Sequence, residues 1–379
     1  MISSDVTFSP PRFEANDATA LFDADAYAEM LAILGRAKES IRLTFYLFGG
    51  PGADKMIDVL AERQAGGVTV RVLLDRQVGS SVLDPFVGWE CRRSLRKMRK
   101  LGIDVRLSDP RAIPDWPDRQ TLSHHKFIVI DDREAMIGGM NLATLFWRYH
   151  DLMIYLKGPT AASLSRQFDL DWASAGDREC DRPNTQTTEL DDNIPLHSEG
   201  GQTMARIVGT GVGRRTTESA LLKNLQQAEA SVSVAVCEMG SSVLTDELIA
   251  CHKRGLSVRV LLCPLKLSPL LPIGTLNARA VEMLLEAGVS VYYYTLGKDF
   301  IRLHMKLAIF DGNRAVAGST NWTRGGLRWI GETDVELIGG TVIDQLKAEF
   351  ESDWRRAAPA PHPSTLAMWM HDTYERRSQ

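Results

Sequence analysis

Apolar residues along this 379-residue chain follow two rhythms. Ala28 to Ala37 and Lys55 to Gln64 space theirs three and four apart, the period of a helix with one buried face. Arg42 to Phe48 and Val68 to Leu74 are short, nearly continuous apolar runs. Such runs suit strands covered on both faces, as in parallel or mixed sheets under helices. Gly66-Gly67 stands between the second helix and its strand as a helix stop. Each half of the chain reads as helix, strand, helix, strand, helix, strand, which predicts an α/β fold.

The pattern occurs twice. Ala37-Lys38-Glu39-Ser40-Ile41 is echoed by Ala228-Glu229-Ala230-Ser231-Val232, 191 residues on. Gly67 to Leu74 is echoed by Gly255 to Leu262 at 188, and Leu101 to Val105 by Ala287 to Val291 at 186. A slowly drifting offset is what small loop deletions leave in an internal duplication. The polar, turn-rich stretch around Arg182-Pro183-Asn184 reads as a linker. The expected layout is a first half over 1–176, a linker over 177–203, a second half over 204–357 and a tail over 358–379. In that tail Ala357 to Pro363 should be irregular, and Leu366 to Tyr374 a short helix.

Composition narrows the class. With 44% hydrophobic and 24% charged residues the chain is ordinary globular protein. A formal net charge of -4 weighs against bulk binding of duplex DNA, while leaving room for a local basic patch. Five cysteines at irregular spacing read as reduced thiols without a zinc pattern. Met1 to Pro11 has no secretory character. No apolar run reaches the ~18–20 residues that span a bilayer. The expected location is cytoplasmic, or peripheral on the inner face of the cytoplasmic membrane.

The chemistry lies in one pair of motifs. His124-His125-Lys126 is followed by Asp131 and by Gly138-Gly139-Met140-Asn141. His304-Met305-Lys306 is followed by Asp311 and by Gly318-Ser319-Thr320-Asn321. His to Asp is seven residues and His to Asn seventeen in both copies. Residues two apart on a strand share a face, so each His points with its Lys, and His125 points the other way. Asp131-Asp132 and Asp311-Gly312 suit hairpin turns, and the return strand brings Gly139 or Ser319 and the Asn back beside the His. A lone His-x-Lys is usually surface decoration; two copies at matching spacing inside a duplication are not. Two imidazoles, two ammonium groups and two amides around one point suit a phosphoryl centre. Lysines and asparagines would bind non-bridging oxygens. One imidazole would attack phosphorus while the other protonates the leaving oxygen. With two lysines present, neither a metal nor another cofactor is required.

At these residues the chain resembles the phospholipase D superfamily, whose hallmark is a paired His-Lys-Asp motif. The resemblance runs from about Val6 to Trp354. It implies two tandem phospholipase D-like α/β/α sandwich halves related by a pseudo-twofold, one shared active site and a covalent phosphohistidine. It implies catalytic roles for His124, Lys126, Asn141, His304, Lys306 and Asn321, with His124 as nucleophile and His304 as general acid/base. Asp131 and Asp311 belong to the signature and read as structural, bonding turn or backbone groups. Relatives also carry an acid after each motif that orients a histidine. Asp151 and Asp334 are best placed for this, with Glu332 competing for the second position.

The opening half is similar to bacterial cardiolipin synthases in Ala26 to Leu31, Ile41 to Phe48, Gly67 to Asp75 and Gly138 to Asn141. Asn321-Trp322-Thr323-Arg324-Gly325-Gly326 is closer to small bacterial endonucleases of the superfamily. The preferred reading is an enzyme acting on phospholipid, with a nuclease acting on DNA or RNA as the alternative. No obligatory protein partner is expected, because the duplication supplies both motifs. Peripheral membrane contact would come through the rim. Leu270 and Leu271, in the Pro-punctuated loop Pro264 to Ile273, are candidates there, and so is Trp147 in an aromatic lip. The basic helix Arg92 to Lys100 suits anionic headgroups or a nucleic-acid backbone.

Overall fold

A computed structural model of the chain describes residues 12–76, 85–108, 122–175, 202–211, 214–264, 276–295, 300 and 302–378. The first half runs β1 (Glu14–Phe22), α1 (Asp23–Arg36), β2 (Ser40–Phe45), α2 (Gly50–Ala65), β3 (Thr69–Asp75), α3 (Pro85–Lys100) and β4 (Asp104–Ser108). It continues with β5 (Leu122–Ser123), β6 (Phe127–Ile130), β7 (Glu134–Gly138), a 3₁₀ turn over Thr144–Arg148, β8 (Tyr149–His150), β9 (Leu152–Lys157) and α4 (Thr160–Ser174). The second half runs β10 (Thr203–Gly211), β11 (Arg214–Arg215), α5 (Thr216–Gln227), β12 (Ser231–Val236), α6 (Val243–Lys253), β13 (Ser257–Leu262), α7 (Ala278–Glu286) and β14 (Ser290–Tyr293). Then come β15 (Arg302–Leu303), β16 (Lys306–Phe310), β17 (Arg314–Gly318), α8 (Arg324–Arg328), β18 (Ile330–Ile338), α9 (Thr341–Arg356), β19 (Ala358–Pro359) and α10 (Thr365–Ser378).

Both halves build the same mixed sheet. The first has order β4-β3-β2-β6-β7-β9-β1, parallel among β2, β3 and β4 and antiparallel elsewhere. The second has order β14-β13-β12-β16-β17-β18-β10 with the same senses. The sheets join where β1 pairs with β10, Glu14 to Asn16 against Ala205 to Thr203. Neither of these joining strands carries a strong sequence signal; β1 is EANDATALF, half of it polar. The Ala/Pro stretch expected to be irregular contains β19, which extends the second sheet beyond β14.

Side-chain alternation sorts the apolar residues into three cores. Phe127 and Val129 face a central core, together with Leu307 and Ile309 of the other half, Phe168 of α4 and Phe350 of α9. Ile128 and Ile130 face the opposite way, into a core under α1, α2 and α3. Ala308 and Phe310 do the same under α5, α6 and α7. The matched aromatic pairs stack at the centre, Phe168 on Trp172 at 5.6 Å and Phe350 on Trp354 at 5.7 Å. Burying each such ring contributes about 1.5–3 kcal/mol, and because both sheets cover the same layer the halves cannot separate without exposing it.

One charged pair sits inside the second half. Arg206 Nε donates to Glu336 at 2.7 Å with both side chains fully buried. Asn224 donates to the other Glu336 oxygen at 2.6 Å, and the guanidinium lies over Phe13. Arg206→Met would strand the Glu336 carboxylate in an apolar layer, at a cost of ~3–5 kcal/mol. The midpoint of urea unfolding should fall accordingly, and adding Glu336→Leu should recover most of the loss.

Candidate active site

Each motif is carried by a hairpin whose turn the sequence sets. Asp131 and Asp132 have φ of 52° and 56°, and Asp311 and Gly312 have 50° and 68°. Asp and Gly tolerate this left-handed region better than other residues. The Asp131 carboxylate accepts from the backbone N–H of Lys38, Glu39 and Ser40 at 2.9, 2.8 and 2.8 Å. Asp311 accepts from Glu229, Ala230 and Ser231 at 3.1, 2.8 and 3.1 Å. The motif aspartates therefore tie the hairpin to the helix–strand corner of their own half and lie outside the cleft.

The histidines are held by the opposite half. β5 pairs in parallel with the start of β18, and His124 N donates to Gly331 O at 2.7 Å. β15 pairs in parallel with β8, and His304 N donates to His150 O at 2.8 Å. Side chains repeat the exchange. His124 Nδ1 lies 2.9 Å from both carboxylate oxygens of Glu332. His304 Nδ1 lies 2.6 Å from Asp151 Oδ2. With the carboxylate accepting at Nδ1, each Nε2 is left for substrate.

This crossing decides between the two candidate acids of the second half. Asp151 follows the residue whose carbonyl takes His304 N, and Glu332 follows the one that takes His124 N. Glu332 is thus the counterpart of Asp151, and Asp334, though placed first by the sequence, is not in contact with His124. Asp334 accepts from Thr320 N at 3.1 Å, from Thr320 Oγ1 and from Thr217 Oγ1, bracing the Gly-Ser-Thr-Asn turn.

The halves fill the space behind the acid differently. A Cβ at Gly139 would fall 2.3 Å from Asp151 Oδ1, so the short acid needs glycine there. In the second half Ser319 Oγ donates to Glu332 Oε2 at 2.5 Å. The longer acid with a serine does the work of the shorter acid with a glycine.

Lys126 Nζ donates to His124 O at 2.7 Å, and Lys306 Nζ donates to His304 O and lies 3.2 Å from both ring nitrogens of His304. Asn141 and Asn321 each keep a buried side-chain oxygen with no hydrogen-bond partner among the described residues. A buried amide oxygen left unpaired is costly, and it recurs at the same motif position in both copies.

Electrostatics tie the two histidines together. Burial, then Lys126, Lys306 and His304, push the His124 imidazole well below its usual range, so it is neutral. Two of those three charges come from the other half, in keeping with the contacts of Glu332 on His124 and Asp151 on His304 that bring the two motifs together. His304 is also lowered by burial and Lys306, but Asp151 pulls it back up. Burial would raise Asp151, yet His304 and Lys306 hold it below the normal carboxylate range. Burial lifts Glu332 well above its usual value against the pull of Lys126 and Ser319. Burial brings Lys126 down to about 7 although Glu332 opposes this.

The repeat offset could have pointed to further residues. Tyr46 stacks edge-on to His124 at 4.9 Å and lies under Lys126 Nζ at 5.7 Å. Its counterpart 191 residues on is Cys237, which accepts from Arg302 Nε at 3.2 Å. Phe146 and Tyr149 lie 6.1 and 5.6 Å from the His304 ring. Trp147 instead turns outward, edge-on to Tyr27 at 4.5 Å. Leu270 and Leu271 lie outside the described residues. His150 lies neither in the cleft nor at the surface. It is buried behind Asp151, bonded to Asp23 at 2.8 Å and Asp353 at 3.0 Å. Burial opposes its charge, but Asp23, Asp353 and Glu349 raise it to about 12, so it is an imidazolium joining both halves. His125 is buried against Thr333 Oγ1 at 2.7 Å, on the far side of the strand from His124.

Two like α/β halves meeting at paired His-x-Lys hairpins form the phospholipase D-like fold. The chain belongs to the family described as cardiolipin synthase, PLD-like domain, whose model matches residues 30–172 and 221–354. It is 25% identical over 346 residues to a probable cardiolipin synthase of Bacillus subtilis, covering 88% of this chain and 65% of that protein. It is 27% identical over 322 residues to cardiolipin synthase B of Salmonella typhimurium, covering 81% and 73%. The chain thus spans about two thirds of the length of the first of these relatives. Among solved structures it is similar to a phosphatidylserine synthase of Haemophilus influenzae, with a TM-score of 0.71 at 12% identity, covering 97% of this chain and 95% of that one.

Proposed function

We propose that this chain is a phosphatidyltransferase or phospholipase D-type phosphodiesterase acting on phospholipids through a covalent phosphohistidine. The observation that carries the chemistry is the exchange of carboxylates between halves, Glu332 to His124 and Asp151 to His304. The substrate class follows the cardiolipin synthases to which the chain is similar.

Lys126 and Lys306, with the Asn141 and Asn321 amides, bind the non-bridging oxygens and offset their charge. Neutral His124 attacks phosphorus through Nε2 while Nδ1–H is held on Glu332. The bond from phosphorus to the leaving oxygen breaks, and the protonated form of His304, which Asp151 favours against burial and Lys306, gives that oxygen its proton. His304, now neutral, takes a proton from an incoming alcohol or water. That oxygen attacks phosphorus and the bond to His124 breaks. Both imidazoles are lowered, His124 the further, and that difference supports the roles in this order.

The test is incubation of the purified protein with phosphatidylglycerol vesicles or single-stranded DNA, each with EDTA. Lipid turnover that survives EDTA, with the DNA intact, is expected. DNA cleavage without lipid turnover would overturn the reading.

A pH dependence follows. The active state needs His124 neutral, which fails at low pH, and both His304 and Lys126 charged, which fails as pH rises, His304 being lowered from its usual range and Lys126 brought down to about 7. The profile of kcat/KM, which reports the free enzyme, should rise from the acid side and fall through about 7. Lys126→Arg, charged throughout, should remove the contribution of Lys126 and leave an alkaline limb set by His304 alone. A rate still climbing past neutral in the unsubstituted protein would contradict the assignment of Lys126.

A further inference from the structure

One surface beside the cleft combines exposed aromatic and cationic groups. On α3 the residues Val87, Gly88, Glu90, Cys91, Ser94 and Met98 face the core. The other face is exposed and divides along its length. Its first turns carry Phe86 and Trp89, 56% and 47% exposed, with rings stacked at 5.7 Å. The later turns expose Arg92, Arg93, Arg96, Arg99 and Lys100. Arg93 is paired with Asp54 at 2.8 Å, whereas Arg96, Arg99 and Lys100 have no ion pair among the described residues. The one acid of α3, Glu90, is buried and turned away from this face.

That acid links the helix to the active site. Glu90 Oε2 accepts from Thr144 N at 3.0 Å, and Oε1 accepts from Thr144 Oγ1. Thr144 opens the 3₁₀ turn whose inward residue Phe146 faces His304, and whose outward residues Leu145 and Trp147 are 36% and 37% exposed. Four exposed apolar side chains and a cationic stripe therefore stand on two elements bonded to each other, one of which lines the cleft.

Resting on the phospholipid reading above, we infer that this face docks the enzyme on an anionic phospholipid bilayer. Phe86, Trp89, Leu145 and Trp147 enter the headgroup–acyl boundary, and Arg96, Arg99 and Lys100 meet the lipid phosphates. Aromatic residues favour that boundary, and basic residues near an anionic leaflet add to the attraction one by one. The charge argues for the occupant: a chain of net charge -4 gathers five exposed cations on one helix face. Docking there would set the Phe146 side of the cleft against the bilayer, so a headgroup reaches the histidines without its chains leaving the lipid.

The test is co-sedimentation with vesicles of phosphatidylglycerol and phosphatidylcholine in equal parts, against phosphatidylcholine alone, at physiological salt. The protein should bind the mixed vesicles and not the neutral ones. The triple variant Arg96→Ala, Arg99→Ala, Lys100→Ala should lose about a hundredfold in partition, from roughly a factor of five per cation. Trp89→Ala with Phe86→Ala should lose about tenfold or more. Turnover of a soluble chromogenic phosphodiester should stay at the unsubstituted level in both variants, which also shows that they fold. Hydrogen exchange on the unsubstituted protein should slow over 85–100 and 144–149 when mixed vesicles are added. Unchanged partition in both variants, or binding of single-stranded DNA through this face in place of vesicles, overturns the inference. Binding through α3 without any lipid turnover supports it, and sinks the phospholipid chemistry instead.

Discussion

Replacing His124 with alanine is expected to lower phosphodiester turnover by ~10⁴-fold or more while the protein stays folded. The side chain is only 12% exposed, but its bonds are to Glu332 and to substrate rather than to the core, so little packing is lost. What is lost is the atom that takes the phosphoryl group. No neighbour replaces it: His304 is committed to the proton transfer on the leaving and incoming oxygens, and His125 is buried on the other face of the strand. The check is single-turnover kinetics on a soluble phosphodiester beside a thermal melt. A residual rate within tenfold of the unsubstituted protein would remove His124 from the nucleophile's role.

Glu332→Gln is the second large effect, ~10²–10⁴-fold in kcat with a smaller change in KM. An amide in place of the carboxylate can present a donor to Nδ1, which turns the imidazole to the tautomer with Nε2 protonated and no lone pair for phosphorus. It also removes the negative charge that opposes the loss of the Lys126 proton. The comparison of halves gives a sharper form. Glu332→Asp alone should be nearly as poor, because the shorter acid falls short of His124 with Ser319 behind it. Glu332→Asp with Ser319→Gly copies the Asp151–Gly139 arrangement of the first half and should recover part of the rate. If Asp334→Asn proves more damaging to kcat than Glu332→Gln, the orienting acid has been misplaced.

The motifs were legible because their information is local and periodic. His124 with Lys126 and His304 with Lys306 need only the two-residue period of a strand, and the turn aspartates need only a left-handed backbone. The repeat then made the two copies equivalent before any coordinates. The choice between Glu332 and Asp334 was not legible, because positions two apart on a strand share a face and both reach the site. Glu332, and not Asp334, meets His124 through the crossing of β5 with β18, which like that of β15 with β8 is a pairing of two residues between segments more than 150 positions apart. No propensity announces so short and distant a contact. The joining strands β1 and β10 escaped for a related reason: part of what they bury is each other, so their residues need not alternate cleanly. The role of His150 gave no local signal, because its partners, Asp23, Glu349 and Asp353, come from both ends of the chain.

The account stands on one phosphorus centre shared by His124 and His304. It is tested most directly by quenching the His304→Ala variant in alkali during turnover of a p-nitrophenyl phosphodiester, whose leaving group needs no proton, and mapping the adduct by mass spectrometry. The expected result is a phosphoramidate, the substrate's phosphoryl group bound through nitrogen to the peptide carrying His124, accumulating because no base remains to activate the acceptor. An adduct on any other residue, or His304→Ala turning over ordinary phosphatidylglycerol at the unsubstituted rate, would contradict it.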